Sequence, residues 1–245
     1  MNGGTVREFL TGGDSLRGLA SGNKIEMHGG EVGKHVYAGY SDRGGASANE
    51  LVIDGGTIAG NAFGSFIADN STRNTEGSKI SFGGTADVQF LTGAYSAKGD
   101  AAGNEVTVSG GTVHKNILGG DSGSGESRGN TVRVTGGTIG TQEQSGSVYG
   151  GYSTSGNTVL FSGGSIGAGE GLYGGYTDQG DARGNTVLIS GGTPGSEVYG
   201  GFVWTGAGNA TGNTVILEGA PDLGGTTLYG GGTAGGSGDV RTGNT

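Results

Sequence analysis

The chain predicts an all-β fold, a parallel β-solenoid of about eight coils of 26–31 residues, and three observations carry the prediction. The first is a sentence that recurs along the whole sequence: roughly Asn-x-Val-x-Val-x-Gly-Gly-Thr, a variable bend, Val-Tyr-Gly-Gly-Tyr-Ser, then a polar Gly-rich loop. Its opening residue falls at Asn23, Asn49, Ser78, Asn104, Asn130, Asn157, Asn185 and Asn213, and again at Asn244, with spacings of 26, 29, 26, 26, 27, 28, 28 and 31 residues. One supersecondary unit recurring at this period is the mark of a solenoid turn. The second observation is strict apolar–polar alternation after each opening residue, as in Asn130-Thr131-Val132-Arg133-Val134-Thr135, which is the period of a strand. The third is the absence of a hairpin signal between strands, so that equivalent strands stack parallel and in register.

Each element of the unit has its own reason. Turning the aliphatic positions of the first strand inward gives two core columns, Ile25, Leu51, Ile80, Val106, Val132, Val159, Val187, Val215 and Met27, Ile53, Phe82, Val108, Val134, Phe161, Ile189, Leu217. The same parity turns the opening Asn inward, where a buried amide requires partners; bonds to the Asn above and below and to turn backbone supply them. Gly-Gly then turns the chain. The second strand brings a third core column, Leu10, Val36, Ala62, Leu91, Ile117, Val148, Leu172, Val198 and Leu228, and its Gly and Ala predict closely spaced sheets over a thin core. At about 4.8 Å per coil the rod is roughly 40 Å long.

The sequence opens with Gly3-Gly4-Thr5-Val6 and Leu10-Thr11-Gly12-Gly13-Asp14-Ser15, the second half of a unit, and stops two residues into another. The expectation is one continuous solenoid over residues 1–245, cut within a repeat at both ends and belonging to a longer array. Composition agrees with order: the 63 Gly occupy fixed positions beside periodic Val and Ile, so neither disorder nor a collagen triplet describes them. With no Cys there is no disulfide, Cys-ligated zinc or thiol chemistry. A net charge of −9 argues against nucleic-acid partners. No signal-peptide pattern and no apolar run near 18 residues is found.

Stacking converts each outward position into a column. Lys24, Glu50, Lys79 and Glu105 alternate in sign and predict cross-strand ion pairs that pin register. Leu160, Leu188 and Ile216 form an apolar stripe on a nominally outward face. Such a stripe is covered by a loop or a further domain, or it is a partner-binding patch aided by Trp204, the only Trp. All nine Tyr fall in the second strand, in two columns. One holds Tyr37, Phe63, Thr92, Leu118, Tyr149, Tyr173, Tyr199 and Tyr229; the other holds Tyr40, Phe66, Tyr95, Asp121, Tyr152, Tyr176, Phe202 and Gly232. Their three-residue offset puts the first column outward and the second inward, unless the intervening Gly pair bends the strand. Outward rings either stack on one another between coils, the favoured expectation, or offer flat faces to sugars, with Tyr149, Tyr173, Tyr199 and Tyr229 as contact candidates.

Catalytic and metal residues are expected to be none. His28, His35 and His114 share no column or ligand spacing. No phosphate loop, nucleophile elbow or regular calcium-binding Asp spacing occurs, and no unit breaks the repeat with a clustered Asp and Glu. No cofactor is implied.

The runs Gly-Asn-Thr-Val, Ser-Gly-Gly-Thr-Ile-Gly and Val-Tyr-Gly-Gly-Tyr-Ser, as they stand across Gly129 to Ser153 and Gly184 to Phe202, resemble the Gly-rich repeats of bacterial autotransporter passenger domains and related large surface adhesins. The resemblance covers the whole chain. It implies a right-handed parallel β-helix secreted across the outer membrane and displayed at the bacterial cell surface. Adhesion or aggregation, or service as an adhesin stalk, would be its work. The implied partners are a host or bacterial cell-surface receptor or glycan, further repeats, and an outer-membrane barrel. A polysaccharide lyase or hydrolase on the same fold, or a passive spacer, is the alternative.

Overall fold

The computed structural model describes residues 1–68, 71–141, 143–167, 169–205, 208–234, 241–243 and 245. The expected opening residue Asn244 lies outside the described residues. The described chain is all β and contains no helix; its parallel coils stack as a β-solenoid of about nine turns, one more than the eight coils expected. The additional turn precedes Asn23. Its strands Asn2–Val6, Leu10–Ser15 and Leu19–Ser21 pair with Lys24–Val32, Val36–Ser41 and Gly45–Ser47, so a coil without an opening Asn still stacks.

Each turn has three strands where the sequence suggested two. The first face is built by Lys24–Val32, the beginning of Glu50–Ile67, Lys79–Phe82, Glu105–Val113, Thr131–Ile139, Thr158–Ile166, Thr186–Ile189 and Thr214–Leu217. The second carries the aromatic columns, for example Asp87–Ser96, Gly171–Thr177 and Glu197–Val203. The third consists of pieces such as Thr75–Glu76, Ala101–Ala102, Ser127–Arg128 and Ala182–Arg183, stacked at the end of each polar loop. Two residues carry no alternation, which is why these strands read as loop. Their inward residues are uniformly small: Ala46, Thr75, Ala101, Ser127, Ala182 and Ala210 are fully buried.

The predicted core columns are buried, from Leu51 and Ile53 through Val187 and Ile189. The corrections lie at the ends: Leu10, Val215 and Leu228 are only half-buried, and Leu217 is 45% exposed, because it pairs with Ile189 on one side and no described strand covers the other. A further core column escaped prediction. The Gly-Gly pair does not end the first strand but offsets it, with the second Gly in the left-handed region (Gly137 φ 93°) and a register shift at that point. The chain then returns Ile58, Val88, Val113 and Ile139 to the interior, each fully buried.

At the corner the opening Asn residues form a ladder. Asn130 Oδ1 accepts from both the backbone N–H and the side-chain amide of Asn104, each at 2.9 Å. Asn130 Nδ2 in turn donates to Asn157 Oδ1, Ala101 O and Ser127 Oγ. The pattern repeats from Asn157 to Asn185 to Asn213. At Ser78 the amide is missing, and Ser65 compensates: Asn49 Nδ2 donates to Ser65 Oγ at 2.8 Å, and Ser65 Oγ meets Ser78 Oγ at 2.6 Å. This ladder, rather than approach of the sheets, explains the second glycine of most second strands, although at the equivalent position ahead of Asn104 the buried Ala94 shows that a methyl can be accommodated. A Cβ at Gly39, Gly120, Gly151, Gly175 or Gly201 would fall 2.1–2.7 Å from the side-chain atoms of the next Asn or, at Gly151 and Gly175, of a third-strand hydroxyl residue. Ser65 stands where the next opening residue is Ser78.

Candidate functional site

Both aromatic columns lie on the same outward face, so the inward expectation for Tyr40, Phe66, Tyr95, Tyr152, Tyr176 and Phe202 is overturned. The rings show it directly: Tyr37 meets Tyr40 at 5.3 Å, Phe63 meets Phe66 at 5.0 Å, and Tyr199 meets Phe202 at 4.5 Å between centroids. The pair of small residues between the columns carries the bend that cancels strand parity.

Within each column the rings stack on one another. Tyr149 lies on Tyr173 at 5.0 Å, Tyr173 on Tyr199 at 5.6 Å, and Tyr199 on Tyr229 at 4.5 Å, all within 14° of parallel. Tyr40 and Phe66 stack at 5.7 Å, Phe66 and Tyr95 at 4.8 Å, and Tyr152 and Tyr176 at 5.2 Å. The faces of Tyr173 and Tyr199 are therefore taken by their neighbours, and only edges reach solvent. Burial raises the Tyr149 and Tyr173 hydroxyls above the ordinary phenol value and Tyr176 to about 12, so all three stay protonated donors at neutral pH.

The wall is broken once. In the first column Thr92 and Leu118 stand between Phe63 and Tyr149; in the second Asp121 stands between Tyr95 and Tyr152. The missing rings leave a notch of about 520 Å³ bounded by Phe63, Phe66 and Tyr95 on one side and Tyr149, Tyr152 and Tyr176 on the other, with Asn61, Phe90 and Asn116 along one rim. Asp121 faces both this notch and a second cavity of about 650 Å³ that runs under the polar loops past Ser122, Thr154, Asp178 and Asp181. The two cavities share Tyr95, Asp121 and Tyr152 and so adjoin one another at these residues. Among the described residues the Asp121 carboxylate has no hydrogen-bond donor or cation for a partner, and burial alone pushes its pKa up to about 6. Tyr152 is held in place by donating its hydroxyl hydrogen to Asp178 at 2.5 Å.

The other expected surface residues lie elsewhere. Leu160, Leu188 and Ile216 stack in register on the first face, Ile216 being 38% exposed. Trp204 does not join them. It follows the second-face strand and tilts against Phe202 at 6.1 Å, with 52% of its surface exposed. The alternating charge column is only partly realised: Lys24 pairs with Glu50 at 3.2 Å and with Glu26 at 2.9 Å, while Lys79, between Glu50 and Glu105 in register, makes no ion pair among the described residues. The His residues are separate. His28 bonds Asp54, His114 bonds Asp87, and His35 joins the aromatic wall against Phe9 and Tyr37. The His35 Nδ1 accepts the Asn61 N–H at 2.9 Å, and burial lowers its pKa.

Sequence reasoning missed Asp121 and Tyr95 as site residues. Their signal was present as the one non-aromatic member between rings of the second column, but it meant nothing while that column was taken to face inward. No protein-family model, curated protein or solved structure shows significant similarity to this chain.

Proposed function

We propose that the chain is a rod-forming segment of a bacterial surface-displayed, autotransporter-like adhesin, acting in adhesion or aggregation or as the stalk of an adhesive tip. The observation that carries this reading is the unbroken stack itself. Among the described residues, equivalent first-face and second-face residues pair from turn to turn along the whole stack over one main aliphatic core, while the third-face strands fall into two sheets, Leu19–Ser21 with Gly45–Ser47 and then Thr75–Glu76 onward. Such a stack suits extension through an envelope of surface glycans, where weak contacts repeated along a rod add through effective concentration. The resemblance of Gly129 to Ser153 and Gly184 to Phe202 to adhesin repeats supports the location at the cell surface and the outer-membrane route.

The competing reading is a carbohydrate-active β-helix enzyme, which would pair two carboxylates across a cleft. Asp121 and Asp178 line one cavity, yet the Asp178 carboxylate is occupied by the Tyr152 hydroxyl, which favours the non-enzymatic reading. Intact cells making the full-length protein, probed with an antibody to this segment and with external protease, test the proposal. Staining and cleavage on unbroken cells are expected; a segment reached only after lysis would overturn it.

A further inference from the structure

The notch at Asp121 has the properties of a binding site that the rod does not need. Register leaves Tyr95 and Tyr152 two coils apart, about 9–10 Å, with a single side chain between them where every neighbouring pair of rings is in contact. No ring stands between them in the second column, where the only intervening residue is Asp121. A carboxylate without a partner sits at the base of the gap, and amide and hydroxyl side chains, Asn61, Asn116 and Thr92, lie on the other side of the notch.

We propose that this notch binds one residue of a neutral oligosaccharide, seated between Tyr95 and Tyr152 with its hydroxyls donating to Asp121. The inference deepens the adhesive reading above and rests on it for its biological setting. A pyranose has two chemically distinct aspects: a face of C–H groups that packs on aromatic rings, and a rim of hydroxyls that donate and accept hydrogen bonds. The notch matches both. An aromatic side chain of a partner protein would fill the gap equally well but would leave the carboxylate desolvated and unpaired, which costs free energy. A lone cation would pair with Asp121 and leave most of about 520 Å³ empty. The adjoining cavity adds Asp178 and Asp181 and offers room for further sugar units. Its acidic lining disfavours sialic and uronic acids by like-charge repulsion.

Two variants separate binding from folding. D121Y supplies the missing rung, closing the notch in a way the rest of the column already uses, and D121A removes the acceptor while leaving the gap open. The labelled segment, coupled to beads for multivalency, is applied to immobilised neutral gluco-, galacto- and manno-oligosaccharides and to sialylated and uronic-acid glycans. Arg-containing and Lys-containing peptides are presented alongside. The wild type should be retained on at least one neutral class, D121A retention should fall about tenfold, and D121Y retention should vanish although D121Y melts no lower than wild type. Equal retention of D121Y, retention only on acidic glycans or on Arg peptides, or no retention of the wild type would each overturn the assignment. Surface exposure of the full-length protein is read separately, so an empty array with a protease-accessible segment defeats the sugar site and leaves the surface rod standing.

Discussion

The opening Asn carries three jobs in one side chain: it accepts from the backbone below, donates to the amide above, and ties the corner to the third strand. Replacing Asn130 by Ser removes the acceptor for both Asn104 N–H groups inside a buried corner. The expected cost is about 2–3 kcal/mol, the scale of buried donors left unmade, read as a lower urea midpoint. The native exception at Ser65 and Ser78 predicts the remedy. G120S with N130S recreates that hydroxyl pair at an equivalent position and should recover about 1 kcal/mol through a favourable coupling; strict additivity of the two changes would show that Ser65 does not substitute for the amide. Asp121 makes a different prediction because its folded pKa is raised, to about 6 from 3.8. Folding favours the protonated acid, so its contribution is full below about pH 3.8 and is lost as pH rises through about 6. Relative to D121N, the wild type should gain about 1–3 kcal/mol on acidification from pH 7 to 4. Comparison with the variant cancels carboxylates of opposite sign, such as Asp100, whose pKa is lowered first by the Glu126 N–H. Parallel pH profiles would contradict the burial of this group.

At the scale of the strand, the aromatic columns behave as cladding over the core. Tyr173 is sandwiched by Tyr149 and Tyr199 and edged by Tyr176 at 5.6 Å. Tyr173→Ser should therefore lower stability by about 1–3 kcal/mol while changing glycan retention little, since its faces were never free; lost retention at unchanged stability would reverse the assignment of that column to structure. The columns themselves were legible in the sequence because equivalent residues recur at a nearly constant period, and the register confirms their membership from Tyr37 to Tyr229. Orientation was less legible. Two residues three apart face opposite ways on a regular strand, and only a bend at the two small residues between them lets both rings share a face, as Ala38-Gly39 does for Tyr37 and Tyr40 and Gly174-Gly175 for Tyr173 and Tyr176. The first-strand offset at Gly137 hid the core column of Ile139 in the same way, because a left-handed glycine reverses alternation without changing composition. The third strand was invisible for a simpler reason: Ser127-Arg128 is too short to show any period, and it is defined by the coil it stacks on. The notch follows from the bend in the second strand, since a gap in two columns becomes a cavity only once both columns are known to share a face.

For the whole molecule, interactions run between successive coils, so stability is close to a sum of coil and nearest-neighbour terms rather than a property of one compact core. The amide ladder fits that description, for Asn130 joins the coils of Asn104 and Asn157. The aromatic wall is interrupted at Thr92, Leu118 and Asp121, so its stacking cannot couple Tyr37 to Tyr149 across the notch. The core and ladder must therefore transmit order past this point while the cladding does not. This makes the notch a seam in the cladding of the rod and gives a prediction for how damage spreads. In N130S, hydrogen exchange should quicken in the backbone of the coils opening at Asn104, Asn130 and Asn157. The coils around Tyr37 and Tyr199 should keep wild-type protection. D121Y, by joining the two halves of the wall, should restrict the damage at Asn130 and raise protection on both sides of the old gap. Exchange that rose uniformly along the chain in N130S would mean that all coils open together, and the nearest-neighbour account of this rod would have to be replaced by a single cooperative unit.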